Sequence, residues 1–216
     1  MGTSRSTSTV KTPGPSSAYV DFPVHYWRKG LRVHRVHGSD KKTGAVYSPW
    51  FFSSNEGRFN LNSPRGTLNC AEKAECAVRE ALGHALMGAA GVIDLPRAQL
   101  AGSYLSELEA PGLRLADFTD PKAPAFGVIP GDMAAPAKNY NKTRAWAETL
   151  DEAGHEGIVN ISRFAGTSKC IFMFGIAGQH ARGGVLKTTK LEDYVTSQMR
   201  WVHLHDTPHS SSLTIV

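Results

Sequence analysis

The sequence predicts an α+β domain, on three observations. Short segments with strand character outnumber the two well-formed amphipathic helices. The two kinds of segment do not alternate regularly, as a doubly wound sheet would require. Apolar residues make up 41% of 216 residues, enough for one buried core of ordinary size. There is no internal repeat, collagen-like period or sustained heptad, and too much Leu, Ile, Val and Phe for a wholly disordered chain. The longest apolar stretch without Asp, Glu, Lys or Arg, about Ala81 to Ile93, falls short of the roughly 20 residues that span a bilayer. No apolar block resembling a secretory signal opens the chain. The three cysteines, Cys70, Cys76 and Cys170, form no CxxC pair. A soluble, cytoplasmic protein in a reducing compartment is the expectation.

Taken in order, residues 1–18 hold thirteen Gly, Pro, Ser or Thr and no acid, and read as a disordered tail. Leu31 to His37 alternates with β-branched residues and reads as a strand, with Arg35 where the core side of the sheet opens. An aromatic group follows, Tyr47, Trp50, Phe51 and Phe52. Asn55-Glu56-Gly57 is a turn, Arg58 to Leu61 a short strand, and Ser63 to Gly66 another turn. The strongest helix pattern runs from Cys70 to Met87, with Asn69 as N-cap and Glu72 as its partner three residues on. Gly91 to Leu95 reads as a strand. Pro96 to Asn139, with six prolines, reads as a loop-rich lid or insertion holding one strand, Leu113 to Phe118. Asn141 to Ala153 is a second helix with Trp146, Ala147 and Leu150 inward. Gly157 to Arg163 and Cys170 to Gly175 read as strands of a central sheet. Residues 196–216 read as an extension.

The familiar chemistries fit poorly. The net charge of +5 is spread along the chain, with Arg28-Lys29 and Lys41-Lys42 the adjacent basic pairs, so nucleic acid is not the expected partner. His203, His205 and His209 form HxHxxxH in a Ser-, Thr- and Pro-containing segment with only Asp206 nearby, and read as a solvated tail rather than a metal site. There is no Walker loop, no GxGxxG between strand and helix, and no GxSxG elbow. Cys70, placed at a helix start, offers a nucleophile only in principle. What remains is a dispersed set: Arg35, Arg58, Glu80 and Ser162. Composition does not select it, and the helical wheel puts Glu80 off the apolar stripe beside Lys73 and His84, as a solvated residue.

A resemblance does select it. Val33-His34-Arg35-Val36, Gly57-Arg58-Phe59-Asn60, Glu80 within Ala77-Val78-Arg79-Glu80-Ala81-Leu82, and Tyr140 through Trp146-Ala147 to Gly157-Ile158 and Ser162-Arg163 together resemble the RES domain of toxin–antitoxin modules. The motifs stand in the family's order and spacing over Arg32 to Gly175, about two thirds of the chain. One position departs: the family's tyrosine, eleven residues before the glutamate, is Asn69 here.

The resemblance implies an ADP-ribosyltransferase-like fold, a split central sheet flanked by helices, over residues 19–195. It implies NAD+ as substrate, with no metal and no membrane. The reaction implied is cleavage of the nicotinamide–ribose bond by a glycohydrolase or phosphorylase, or else ADP-ribose transfer to a protein; a catalytically impaired binding module is the alternative. Glu80 would stabilise the oxocarbenium-like sugar, as carboxylates do in glycoside hydrolysis. Arg35 and Arg58 would grip the pyrophosphate through forked donors. Ser162 would hold the nicotinamide ribose or amide. Asn69 retains a hydrogen-bond donor where the tyrosine is absent, and Tyr47, Trp50 or Phe59 would take the aromatic duty. A DNA-binding, Xre-like antitoxin blocking the cleft is the implied partner, with a homo-oligomer left open.

Overall fold

The computed structural model describes residues 10–87, 93–134 and 140–206. Along these run β1 (Val24–Trp27), β2 (Arg32–Gly38), β3 (Phe51–Phe52), β4 (Arg65–Ala71), α1 (Ala74–Leu82), β5 (Ile93–Pro96), β6 (Ser103–Glu109), β7 (Leu113–Asp117), α2 (Pro130–Met133), α3 (Tyr140–Glu152), β8 (Gly157–Ile161), β9 (Lys169–Ile176), β10 (Gly178–Gln179), β11 (Val185–Lys190), α4 (Leu191–Gln198) and β12 (Val202–His205). A mixed central sheet has the order β1-β7-β8-β9-β4-β2-β6-β11. Only β7 and β8 pair in parallel within it. The α+β class, with helices flanking a large central sheet, is as the sequence predicts.

Alternation along the strands builds a core on each face. On β8, Ile158 joins Phe59, Trp146, Leu150 and Phe172 under the helices, while Val159 joins Trp27, Leu68, Leu115 and Met173 on the other side. β9 is thus buried on both faces, as its unbroken apolar run requires. Gly157 permits the close approach of β8 to β9: a Cβ there would lie 2.3 Å from the Phe172 carbonyl oxygen.

The sheet is split where β2 meets β4. These strands share a single paired position, His34 with Ala71, whereas β4 and β9 pair over seven. Beyond His34, Arg35 and Val36 stay paired with β6 but have no partner on β4. The gap between the two halves of the sheet becomes a cleft.

Several elements differ from expectation. The strongest helix pattern does not start at Cys70: residues 65–71 are β4, Lys73 is the extended N-cap, and α1 begins at Ala74. Asn69 lies opposite Phe172 in the sheet, and the seven-pair ladder with β9 outweighs the local capping pattern. Arg58 to Leu61 is a turn rather than a strand. The lid expected over Pro96 to Asn139 contains two strands of the central sheet, β6 and β7. β6 reads Ser-Tyr-Leu-Ser-Glu-Leu-Glu, which lacks the period-2 alternation that would mark it as a strand. Residues 10–18, expected as part of the tail, pack on α3. Val10 is buried, its carbonyl accepts from Lys142 Nζ at 2.8 Å, and the Lys11 carbonyl accepts from Trp146 Nε1 at 2.8 Å. The expected strand at Gly91 appears as β5, with Gly91 and Val92 outside the described residues. His203 and His205 sit on β12, paired in parallel with β5, and His203 Nδ1 lies 2.9 Å from Asp94; His209 is outside the described residues. No helix among the described residues is long and apolar enough to cross a membrane.

Candidate active site

The cleft at the split encloses about 270 Å³ and is lined by Arg35 and Val36 of β2, Gly57 and Arg58 of the following turn, Asn69 of β4, Glu80 of α1, Tyr140 of α3 and Phe172 of β9. Its floor follows from register. Cross-strand partners share a face, so His34, Ala71, Cys170 and Asn160 form one row and Asn69, Phe172 and Ile158 the next. Both rows lie on the helix-covered face, with β2, β4 and β9 beneath α1 and β8 beneath α2 and α3.

Arg58 owes its position to a turn that only particular residues allow. Asn55 and Gly57 take positive φ, 66° and 82°, and a Cβ on Gly57 would meet the Asn60 carboxamide at 3.1 Å. Thr67 Oγ1 accepts from the Leu61 amide at 3.2 Å and donates to the Phe59 carbonyl at 2.9 Å, fastening the turn to β4. The Phe59 ring packs edge-on against Phe172 at 4.6 Å. From α3, Arg144 donates to the Asn55 carbonyl and Glu148 accepts from Asn62. Held this way, Arg58 has only 9% of its side chain exposed. One N–H pairs with Glu80 Oε2 at 3.3 Å. Its Nε and Nη1 are buried without a hydrogen-bond partner. Buried guanidinium donors are rarely left unmade, because each costs desolvation free energy that nothing repays. Donors in this state at the wall of a cleft suit an anion.

Glu80 is fixed from three sides. Oε1 accepts from Ser162 Oγ at 2.6 Å and from the Arg163 amide at 2.8 Å, and Oε2 faces Arg58. Ser162 is itself locked, since its hydroxyl oxygen accepts from the amides of Phe164 at 3.1 Å and Ala165 at 2.9 Å. The carboxylate is therefore not the solvated surface group of the helical wheel. The correction has a simple cause: the stripe of α1 is made of Cys76, Ala77 and Val78, and Glu80 follows Cys76 by one turn on the same face.

Arg35 sits at the edge of the split, half-buried, with one Nη donating to the Phe51 carbonyl of β3 at 2.8 Å. Burial lowers its pKa from the ordinary arginine value, an effect the nearby Cys70 opposes. Burial likewise pushes the Cys70 thiol up to about 12, so that residue, a strand position rather than a helix start, is no ready nucleophile.

Four of the residues singled out in sequence, Arg35, Arg58, Asn69 and Glu80, thus face one cleft, and Ser162 joins them through Glu80. Asn69 is exposed on the floor and is no N-cap. The aromatic candidates lie elsewhere. Phe59 and Trp50 are fully buried in the two cores, and Tyr47 is 52% exposed on the loop beside Asp40, outside the cleft. Tyr140 and Phe172 line the cleft instead. Phe172 was hidden in an apolar run whose facing depends on register with β4. Tyr140, the first residue of α3, carries no signal in the sequence beyond its place in a motif.

A cleft in a split α+β sheet, walled by a buried arginine and a triply held carboxylate, has the chemistry to receive an anionic small molecule and to stabilise positive charge beside it. The sequence comparisons identify the family. A model of the RES domain matches residues 32–196, and the chain belongs to the RES domain family. Among solved structures, the fold is similar to a chain in the crystal structure of the M. tuberculosis MbcT–MbcA toxin–antitoxin complex. That likeness covers 82% of this chain and 91% of the other, with a TM-score of 0.56 and 13% identity. No curated protein sequence matches this one.

Proposed function

We propose that this chain is the toxin of a toxin–antitoxin pair and that it consumes NAD+ by cleaving the nicotinamide–ribose bond. The observation that carries the reading is the pairing of Glu80, held by Ser162, Arg163 and Arg58, with two unpartnered guanidinium donors on Arg58 in the same cleft. The bond to be broken joins ribose C1′ to the nicotinamide nitrogen. Its electron pair leaves with nicotinamide, which departs neutral, and positive charge develops on the sugar. A carboxylate already oriented by three partners stabilises that charge without reorganising during the reaction. The unmade donors of Arg58, with Arg35 at the rim, match the oxygens of a diphosphate. Asn69 supplies a carboxamide, and Tyr140 and Phe172 supply the ring faces that the resemblance sought elsewhere.

At about 270 Å³ the cleft is below the roughly 300–1,000 Å³ of pockets that engulf drug-sized ligands. It suits the reacting nicotinamide–ribose end, with the adenosine half outside. The acceptor of ADP-ribose in this reading is water or phosphate. The toxin role rests on membership of the family and on the solved neighbour, and its implied partner is a DNA-binding, Xre-like antitoxin that occludes the cleft.

The test is to incubate purified protein with NAD+, with and without phosphate, and to separate the products. Release of nicotinamide with free ADP-ribose, or with a phosphorylated ADP-ribose only when phosphate is present, supports the reading and identifies the acceptor. Label from NAD+ appearing on a protein would make the chain a transferase, and NAD+ bound without turnover would make it a binding module.

A further inference from the structure

α1 carries more than Glu80. One turn earlier on the same face is Cys76, whose Sγ lies 3.9 Å from Sγ of Cys170 on β9. Both are free thiols, with 1% and 2% of the residue exposed. They meet between two cavities: Cys170 lines the floor of the cleft, and Cys76 lines a separate hollow of about 390 Å³ bordered by Lys73, Arg79 and Phe164. Neither thiol has a part in the chemistry described above. The pair ties the helix bearing the carboxylate to the strand forming the floor beneath it.

We propose that Cys76 and Cys170 form a reversible oxidation site for small peroxides, closing to a disulfide that displaces Glu80 and switches the cleft off. Formation of the disulfide stands on the thiol geometry alone; the switching of activity rests on the function proposed above. Cys76 is the attacking sulfur. Hydrogen bonding from Cys170 lowers its pKa, while the same contact and burial raise that of Cys170. The Cys76 thiolate attacks one oxygen of hydrogen peroxide, the O–O bond breaks, and hydroxide leaves with the proton Cys76 has given up. Cys170 then attacks the sulfur of the resulting sulfenic acid, and its proton departs with the hydroxyl as a second water. Two thiols and one peroxide become one disulfide and two waters.

Geometry makes the consequence local. A disulfide needs its sulfurs about 2.05 Å apart, so the contact must close by about 1.9 Å. Cys76 and Glu80 are one turn apart on a nine-residue helix, so closing the sulfurs moves the carboxylate against Ser162 and the Arg163 amide. Displacement of a reacting group by about 1 Å can lower turnover about 100-fold. Cys70 serves as an internal control. It lies on the opposite face of β4, buried, with its thiol pushed up to about 12, and stays reduced.

The experiment treats the purified chain with hydrogen peroxide and maps its cysteines by alkylation under denaturing conditions and peptide mass spectrometry. The expected result is a Cys76–Cys170 disulfide, one alkylatable thiol at Cys70, and recovery of all three on reduction. NAD+ consumption should fall about 100-fold and return with dithiothreitol, while the Cys76→Ala variant runs at one rate before and after peroxide. Should Cys76→Ala fail to fold, Cys170→Ala provides a second variant: its Cys76 can still reach the sulfenic acid, but no disulfide forms and the fall in turnover that the disulfide causes is absent. Both thiols remaining free, or oxidising separately without a link, overturns the proposal. A mapped disulfide with undiminished turnover overturns the switch. If the reduced chain does not turn over NAD+, the proposed function fails, and the disulfide map still decides the thiol chemistry on its own.

Discussion

Replacing Arg58 with methionine separates binding from stability. The arginine side chain is nine-tenths buried, makes one 3.3 Å pair with Glu80, and holds two unpartnered donors. Losing the pair removes a charge-assisted hydrogen bond of about 1.5–3 kcal/mol. Losing the two unsatisfied donors returns about 1–3 kcal/mol each. Glu80 keeps Ser162 and the Arg163 amide, so its carboxylate is not orphaned. The balance runs from a loss of about 1 kcal/mol to a gain of a few kcal/mol, because the Glu80 carboxylate is partly exposed and keeps two donors, and so is spared the penalty of a fully buried charge stripped of its partner. For a chain of this size each kcal/mol moves Tm by about 2–4 °C. The ligand-free variant should therefore melt between a few degrees below the wild-type temperature and several degrees above it. NAD+ sets the two proteins apart: two lost charge-assisted contacts to phosphate, about 3–6 kcal/mol together, weaken binding at least about 100-fold. Thermal melts with and without NAD+ read both effects. A variant that melts well below wild type without ligand, yet is stabilised by NAD+ as strongly as wild type, would refute the view of Arg58 as a ligand-directed group.

Three further expectations follow from single contacts. Ser162→Ala removes a donor to Glu80 and leaves the Phe164 and Ala165 amides without their acceptor, so it should lower stability by about 1–3 kcal/mol and turnover by about 100-fold; steady-state kinetics and chemical denaturation check the pair. Gly157→Ala puts a methyl 2.3 Å from the Phe172 carbonyl and 2.8 Å from Leu115. It should cost about 3 kcal/mol, a fall in Tm of about 6–12 °C. His37 and His155 have pKa values lowered mainly by burial, so the folded chain binds fewer protons at these sites than the unfolded one. Their contribution to stability is present above about pH 6.5 and is lost as pH falls from there through their folded values. Melts between pH 7.5 and 5 should show Tm falling with acid, and His155→Gln should flatten part of that slope.

Much of the fold was legible from pattern alone, and the exceptions share a cause. β2, β7, β8, β9 and α3 fall where alternation or apolar runs put them. β4 was misread because Asn69 and Glu72 satisfy a local capping pattern, whereas the ladder with β9 comes from residues a hundred positions away. β6 carries no alternation to mark it, and its strand character comes from pairing with β2 and β11. In the site, Arg35, Arg58 and Glu80 could be picked out only by their order and spacing. Nothing local marks Glu80 as buried, because the Ser162 hydroxyl and Arg163 amide that hold it arrive from β8 and the loop after it. Phe172 could not be placed in the cleft before the register of β4 and β9 fixed which way it faces.

The direct test of the central claim is nicotinamide release from NAD+ by the wild-type chain and by Glu80→Gln, measured side by side. Glutamine keeps the size of the side chain and an oxygen to accept from Ser162 and the Arg163 amide, but carries no charge to stabilise the developing cation. Release by the wild-type chain, with at least a 100-fold fall in a variant that still folds but melts about 3–12 °C lower for loss of its charged pair with Arg58, is the predicted result. Equal rates in the two proteins, or no release by either, would contradict it.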